Sequence, residues 1–559
     1  MSDKNCSAAF AALLLTCSSL AAQPAILKAP DGGSLLQQLN QLLPSTPSSD
    51  STGLMLEQED GRSAKMPTST PFLVTRIRIT RNTLFDTPTL RALVADGEGK
   101  NLTLIQIAEL AARITKHYRA NGYPLARAII PAQTITAGLV RIEVIEAVYG
   151  KIELDNNSRV RDVLLQSTLS ALQSGEEVEQ VALDHALLLL SDVPGVAVKA
   201  TFSPGETVGS SDLSVVTSVL HSLTGDMSVD NYGNPYTGEA RVGGSLTYYN
   251  PLRYGDTLNL AGLTTGSGLT YGRLAYETMV SGQGTRVGAS YSALTYRLGG
   301  IFARLGESGS AEVQSLWTRH PLVRSRNLNL YGQLQYDRLR TRSRGEQSGL
   351  EFDRSLDNWT LSLAGDARDA LFSSSMTQWK VGVTQGHAGP NEAALPGSST
   401  ELSGNFSRMN ADLAHLTGLS SKNSLYLAYA GQWASANLVA SQKMSIGGPY
   451  TVRAYGMGAL SGDIAHLLSV ELRHELGQAL QGQWQVIAFV DSAYVQLNKS
   501  TSSSDLNSTT LSGGGFGLNW NGLRYWSVRA LVAKPLGSPS ALVGDNKSYR
   551  GWIELHRRF

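Results

Sequence analysis

Hydrophobic and polar positions follow two different rhythms along this 559-residue chain. From about residue 223 to Phe559 the period is two. Leu468, Val470 and Leu472 alternate with Ser469, Glu471 and Arg473. Phe516, Leu518 and Trp520 alternate with Gly515, Gly517 and Asn519, and Trp526, Val528, Ala530 and Val532 with Ser527, Arg529 and Leu531. Trp484 to Val490 is a weaker case, because Ile487 and Phe489 make the second face apolar too. Successive side chains of a strand point to opposite faces, so each run predicts a strand with one apolar face and one mostly polar or small. Gly, Asn, Ser and Pro separate the runs, and no long helix is predicted here.

Before residue 223 the period is often helical. Leu35, Leu36, Leu39, Leu42 and Leu43 predict a short amphipathic helix within 30–44, started near Gly33-Ser34 and stopped by Pro44. A helix this short does not fold alone and must dock elsewhere in the protein or on a partner. Residues 45–70 are rich in Pro, Ser and Thr and predict a linker. Residues 71–147 read strand–helix–helix–strand–strand. The best helix spans 102–118, with Leu104, Ile107, Leu110, Ala111, Ile114 and Tyr118 on one face, Asn101 or Thr103 as cap and Asn121-Gly122 as stop. Residues 148–220 repeat the theme, giving a second small α+β domain.

The first 22 residues carry export-signal anatomy: Lys4, an apolar stretch over 8–15, and small residues at Ser19, Ala21 and Ala22. Both cysteines, Cys6 and Cys17, fall in that signal, so the mature chain is expected to hold no thiol, as suits an oxidising compartment. Lys+Arg 47 against Asp+Glu 46 leaves a net charge of +1, which gives no general attraction to nucleic acid. Past residue 25 no apolar run approaches the ~20 residues that a spanning helix needs. The chain has no GxxxxGK[ST], HExxH or GxSxG motif and no Cys/His cluster; His466 and His474 are too far apart to share an ion. No enzyme activity, cofactor or metal is expected.

Alternation alone fits a soluble sandwich or a membrane barrel. The export signal, the lack of a helical span and the length of the β-region favour the barrel. Roughly 335 residues suffice for about sixteen strands. The chain ends on a strand with Gly551, Ile553, Leu555, Arg557 and Phe559 on one face, and the terminal Phe559 resembles an outer-membrane sorting signal. Arg557 departs from an apolar face, and near the interface its head can snorkel. The expected fold is a transmembrane antiparallel β-barrel over 223–559, preceded by the two α+β domains and the helix. Residues 250–256 form a turn on the inner side, and the longer connections near 341–350, 386–402, 440–463, 495–508 and 535–547 lie outside.

Three groups of residues resemble a known family. Tyr118-Arg119-Ala120-Asn121-Gly122-Tyr123-Pro124, Ile130-Pro131-Ala132-Gln133 and Gly138-Leu139-Val140 resemble the first POTRA domain of two-partner secretion (TpsB) transporters, the ShlB/FhaC/HecB-like proteins. Asp192-Val193-Pro194-Gly195-Val196, Pro204-Gly205, Gly209 and Asp212-Leu213 resemble the second. Val452-Arg453-Ala454-Tyr455 and Phe489-Val490-Asp491-Ser492-Ala493 resemble the VRGY/F and FxDxG signatures of these transporters and their outer-membrane assembly relatives, with Ala454 and Ala493 where glycine is usual.

The resemblance implies an outer-membrane pore of a Gram-negative bacterium with its POTRA domains in the periplasm. Such a pore takes an unfolded, TpsA-type exoprotein, β-helical once folded, and passes it to the surface without ATP. The 30–44 helix would be a removable plug. Arg453, at the tip of a loop folded into the lumen, would make a charge-assisted hydrogen bond to Asp491, with Glu471 and Arg473 as supporting charges. Further partners implied are outer-membrane lipid and the barrel-assembly machinery that inserts the protein. A barrel-assembly factor and a passive porin are the competing readings.

Overall fold

A computed structural model describes residues 29–40, 54–58, 69–347, 349, 351–369, 374–390, 403–501, 506–538, 540–544 and 547–559. The export signal with Cys6 and Cys17, and Leu42 and Leu43, lie outside the described residues. Helix α1 (Gly32–Asn40) starts at Asp31, whose carboxylate accepts from the Ser34 amide at 2.8 Å. Strand β1 (Leu54–Gln58) follows inside the span expected to be a linker.

The first domain comprises β2 (Phe72–Val74), β3 (Arg76–Thr80), α2 (Thr87–Ala92), β4 (Lys100–Leu102), α3 (Leu104–Ala120), β5 (Arg127–Ile129) and β6 (Leu139–Ile145). Thr103 and Gln106 cap α3 reciprocally: each side chain accepts from the other's backbone amide, at 3.3 and 2.9 Å. The apolar stripe of α3, Ile107, Leu110, Ala111, Ile114 and Tyr118, buries against Ile77, Ile79, Val140, Ile142 and Val144 of a sheet ordered β3-β6-β5.

The second domain comprises β7 (Val148–Asn157), α4 (Asp162–Leu169), α5 (Gln180–Ser191), β8 (Val196–Pro204) and β9 (Ser210–Val219). Its sheet runs β1-β8-β9-β7, so the supposed linker contributes an edge strand in parallel register, Leu54↔Val198 to Gln58↔Phe202. Without β1, strand β8 would present a row of unpaired backbone groups.

The remaining strands are β10 (Leu223–Asp230), β11 (Arg241–Tyr249), β12 (Thr257–Thr264), β13 (Leu269–Met279), β14 (Arg286–Arg297), β15 (Glu307–Arg324), β16 (Leu328–Gly345), β17 (Glu351–Arg368), β18 (Ser375–Ala388), β19 (Gly404–Gly418), β20 (Asn423–Ala434), β21 (Met444–Ile446), β22 (Leu460–Gly462), β23 (Ile464–Ala479), β24 (Gly482–Gln496), β25 (Ser508–Gly522), β26 (Trp526–Leu536) and β27 (Arg550–Arg558). All but β21 and β22 join one closed antiparallel barrel of 16 strands, sealed by β10 against β27. At the seam Phe559 exchanges backbone hydrogen bonds with Gly225, both at 2.9 Å. Because β10 leaves the second domain directly, its first end is periplasmic and alternate connections are external.

Parity follows the sequence pattern. Leu468, Val470, Leu472, Phe516, Val532, Ile553 and Leu555 are exposed on the outer wall, while Ser469, Glu471 and Asp491 are buried inward. An apolar exterior and a polar interior are what a barrel in lipid requires. The second domain is fastened beneath one side of the barrel. Arg324 forks onto Asp192 at 2.7 and 2.8 Å, Arg286 donates to the Asp192 carbonyl at 2.6 Å, and Arg326 meets Asp184 at 2.7 Å.

Candidate functional site

The connection from β20 to β23, residues 435–463, folds into the barrel. At its base Asp463, fully buried, receives Lys443 at 3.1 Å and the backbone amides of Leu438 and Lys499 at 3.0 and 2.8 Å. The hairpin β21–β22 stiffens the two arms. At the turn into the tip Gly447 and Gly448 have φ of +104° and +110°, a left-handed backbone that favours glycine. Thr451 Oγ1 accepts from the Gly447 amide at 2.8 Å, and the Gly448 amide donates to the Tyr455 carbonyl at 3.0 Å.

This bend delivers Arg453 to the lumen wall. Its Nε and Nη2 donate to the two carboxylate oxygens of Asp491 at 2.8 and 2.6 Å, and its backbone amide donates to the same group at 3.1 Å. Its Nη1 donates to Glu471 at 2.5 Å. The second oxygen of Glu471 receives Nε and Nη2 of Arg473 at 2.9 and 2.6 Å. The guanidinium of Arg453 also lies over the Phe489 ring, 3.5 Å from its centroid. Two cations and two anions thus form a neutral chain, bidentate at Asp491, single from Arg453 to Glu471, and forked onto one Glu471 oxygen from Arg473. That compensates a desolvation which would otherwise cost several kcal/mol per ion. Val452 and Tyr455 flank it, buried in an apolar cluster with Tyr232, Ile487, Phe489 and Trp552.

All the expected tip and wall residues therefore meet. Glu471 is more central than a supporting charge, because it bridges both arginines. Two partners escaped the sequence reading. Trp552 Nε1 donates to the Arg453 carbonyl at 2.7 Å from the last strand. Gly513 faces Ala454: a methyl group at Gly513 would lie 2.4 Å from Ala454 Cβ. The run Gly513-Gly514-Gly515 was the available signal, a place where another backbone approaches closely.

Helix α1 is the second occupant of the lumen. Leu35, Leu36 and Leu39 are buried against inward side chains of successive strands: Tyr271, Leu294, Tyr296, Leu339, Leu356 and Phe406. The helix also touches the loop. Asn234 donates to Gln38 at 3.1 Å and to the Met457 carbonyl at 3.3 Å, and a methyl at Gly33 would lie 2.6 Å from Ser441 Cβ. On the periplasmic side of the loop tip a cavity of about 450 Å³ remains, walled by Asp366, Lys380, Asp412, Tyr426, Arg473 and Arg529.

Comparison with known proteins agrees with this anatomy. Residues 72–147 match the family described as POTRA domain, ShlB-type, and residues 209–520 match haemolysin secretion/activation protein ShlB/FhaC/HecB. The heme/hemopexin transporter protein HuxB of Haemophilus influenzae is 27% identical over 543 residues, 95% of each chain. The outer membrane transporter CdiB of Dickeya dadantii is 22% identical over 496 residues, 85% of this chain and 84% of that one. Solved structures share the fold, two of them as follows. CdiB from Escherichia coli has a TM-score of 0.70 at 18% identity, over 96% of this chain and 100% of that one. BamA from Haemophilus ducreyi lacking POTRA domains 1–3 has a TM-score of 0.54 at 14% identity, over 87% of this chain and 100% of that one.

Proposed function

The chain belongs to the ShlB/FhaC/HecB family of haemolysin secretion/activation proteins, and from that premise we propose how its parts divide the work. The family is that of the two-partner secretion transporters, outer-membrane barrels with periplasmic POTRA domains that carry a secreted TpsA-type exoprotein outward. Its members are transporters rather than enzymes.

In our reading the described conformation is the resting pore. An unfolded segment of the exoprotein is caught by the two periplasmic domains and led to the cavity beneath the loop tip. Capture by strand addition at β8 requires that β1 leave first, since β1 holds that edge. Passage requires α1 to leave the lumen. The segment then threads outward as a hairpin and folds outside. Folding outside supplies direction without ATP, because a folded domain no longer fits the pore. The observation that carries the reading is the seating of α1: three leucines hold a helix inside a closed barrel and against a loop, an arrangement suited to removal. The full-length likeness to a heme/hemopexin transporter makes a cargo that handles haem or hemopexin the first to test.

The test compares the secreted and outer-membrane proteomes with and without the gene. Loss of one large exoprotein with other barrel proteins unchanged supports the reading and names the cargo. A joint fall of many barrel proteins would instead mark an assembly factor, and no change at all would mark a passive porin.

A further inference from the structure

The first domain buries one face of its β3-β6-β5 sheet and turns the other to solvent. That outer face carries Arg76 and Arg78 from β3, Leu139 and Arg141 from β6, and Arg127 and Ile129 from β5, all exposed. Parallel register sets Arg78 directly beside Arg141. Like charges in that position destabilise a sheet. The acid of this face, Glu143, is already held by Arg81 at 3.0 Å. Among the described residues none of the four arginines on the face pairs with a carboxylate. The backbone beneath is rigid: the Gln133 amide group takes the place of a neighbouring strand, bonding both the amide and the carbonyl of Arg141 at 2.8 Å.

Four arginines without an ion pair on one small sheet stand out in a chain whose net charge is +1; the nearest further acid, Glu98, acts on Arg76 only from a distance and is itself paired to Arg91. The second domain shows that the fold does not require them. The corresponding face there mixes Lys151 and Lys199 with Glu153, Asp155 and Asp212, and Lys151 is ion-paired to Glu206.

We propose that the arginine face of the first domain docks an acidic, extended segment of the exported polypeptide. The inference rests on the transporter reading and deepens it. Arg76 and Arg78 are two residues apart on one strand, so they repeat at about 6.5–7 Å, the repeat of alternate side chains in an extended peptide. Acids at alternate positions therefore meet successive arginines. Leu139 and Ile129, 43% and 38% exposed between the arginines, offer apolar contacts that a bare phosphate surface does not use.

The experiment uses the full-length protein in detergent and a labelled synthetic peptide of alternating Glu and Val. An alternating Gln-Val peptide and phosphatidylglycerol vesicles serve as rival probes. The Glu-Val peptide is expected to bind at least about tenfold tighter than Gln-Val, and to weaken severalfold between about 50 and about 300 mM salt. Arg78→Gln with Arg141→Gln should lower that binding about tenfold, and Arg76→Gln with Arg127→Gln should do the same by a different pair. Unchanged circular dichroism shows that both are folded, and Arg119→Gln, on α3, should change nothing. Equal binding of the two peptides, or full binding by both double variants, overturns the proposal. Vesicle binding that both double variants abolish overturns it too, by assigning the face to a membrane. These outcomes leave the transporter reading standing so long as deleting the gene removes one exoprotein; if deletion removes none, that reading fails whatever the peptides do.

Discussion

Arg453 has exchanged water for two carboxylates, so its loss does more than delete a contact. Arg453→Ala leaves Asp491, which is fully buried, and Glu471 without their shared cation. Breaking a buried pair from one side costs about 3–5 kcal/mol. The expected result for Arg453→Ala or Asp491→Ala is at least about tenfold less cargo in the medium, with the heat-modifiable barrel still present in the outer membrane. Normal secretion by both variants would sink the lock. Arg453→Lys should not rescue, because one ammonium cannot fork onto Asp491 and reach Glu471 together. Ala454 gives a second test. Gly513→Ala should behave like a lock variant, since the two methyls would collide at 2.4 Å, and adding Ala454→Gly should restore secretion. The Arg453–Asp491 pair was legible because both sit in short signatures. Gly513 and Trp552 were not, because each acts on the tip from a strand far along the chain and only closure of the barrel brings them near.

At the scale of elements, each piece is pinned by a few polar groups at its ends. In the first domain Glu146, just after β6, accepts from Tyr118 of α3 at 2.6 Å and from the amides of Thr83 and Leu84 at 2.8 and 3.0 Å. Burial pushes its carboxyl up, but the Thr83 hydroxyl, which also donates to it, together with Tyr118 and the two amides, outweighs burial and holds it below the ordinary value. A depressed carboxyl contributes stability that is present above its unfolded value near pH 4 and lost as pH falls through the folded value. Thermal melts should therefore show Glu146→Gln less stable than the parent at neutral pH, with the gap closing below about pH 4. Equal melts at neutral pH would refute the pin. The helices were legible because their 3.6-residue stripes and the Thr103 cap are local. Strand β1 was not: five residues in a Pro-, Ser- and Thr-rich span become a strand only by pairing with β8. Deleting residues 54–58 removes that pairing and should speed hydrogen exchange along β8. Unaltered exchange there would show that β1 does not protect the edge in solution.

At the scale of the molecule, the second domain is fastened to one part of the barrel rim. Its polar fastenings fall on the periplasmic ends of β11 to β16: Asn250 donates to the Pro194 carbonyl at 2.5 Å, Arg286 and Arg324 hold Asp192, and Arg326 holds Asp184. The cavity beneath the loop tip is walled by the other side, from β17 to β26. The domain thus hangs from one half of the rim while the cavity faces the other. The Asp192-Val193-Pro194-Gly195 motif was legible as a family signature, but its physical work was not. Asp192 is the anchor, and Gly195, at φ +69°, has no room for a side chain: a methyl there would lie 2.5 Å from the His221 carbonyl oxygen and 2.9 Å from Tyr249 Cβ. If this geometry matters, Asp192→Arg should lower secretion about tenfold, since it sets a third cation against Arg286 and Arg324. Arg324→Asp alone should do likewise, by placing an acid beside Asp192. Combining the two restores a pair of opposite charge in the same place and should recover a substantial part of secretion, whereas two independent injuries would multiply. A double variant no better than the worse single one would show that the fastening is incidental and that the domain finds its place by other contacts.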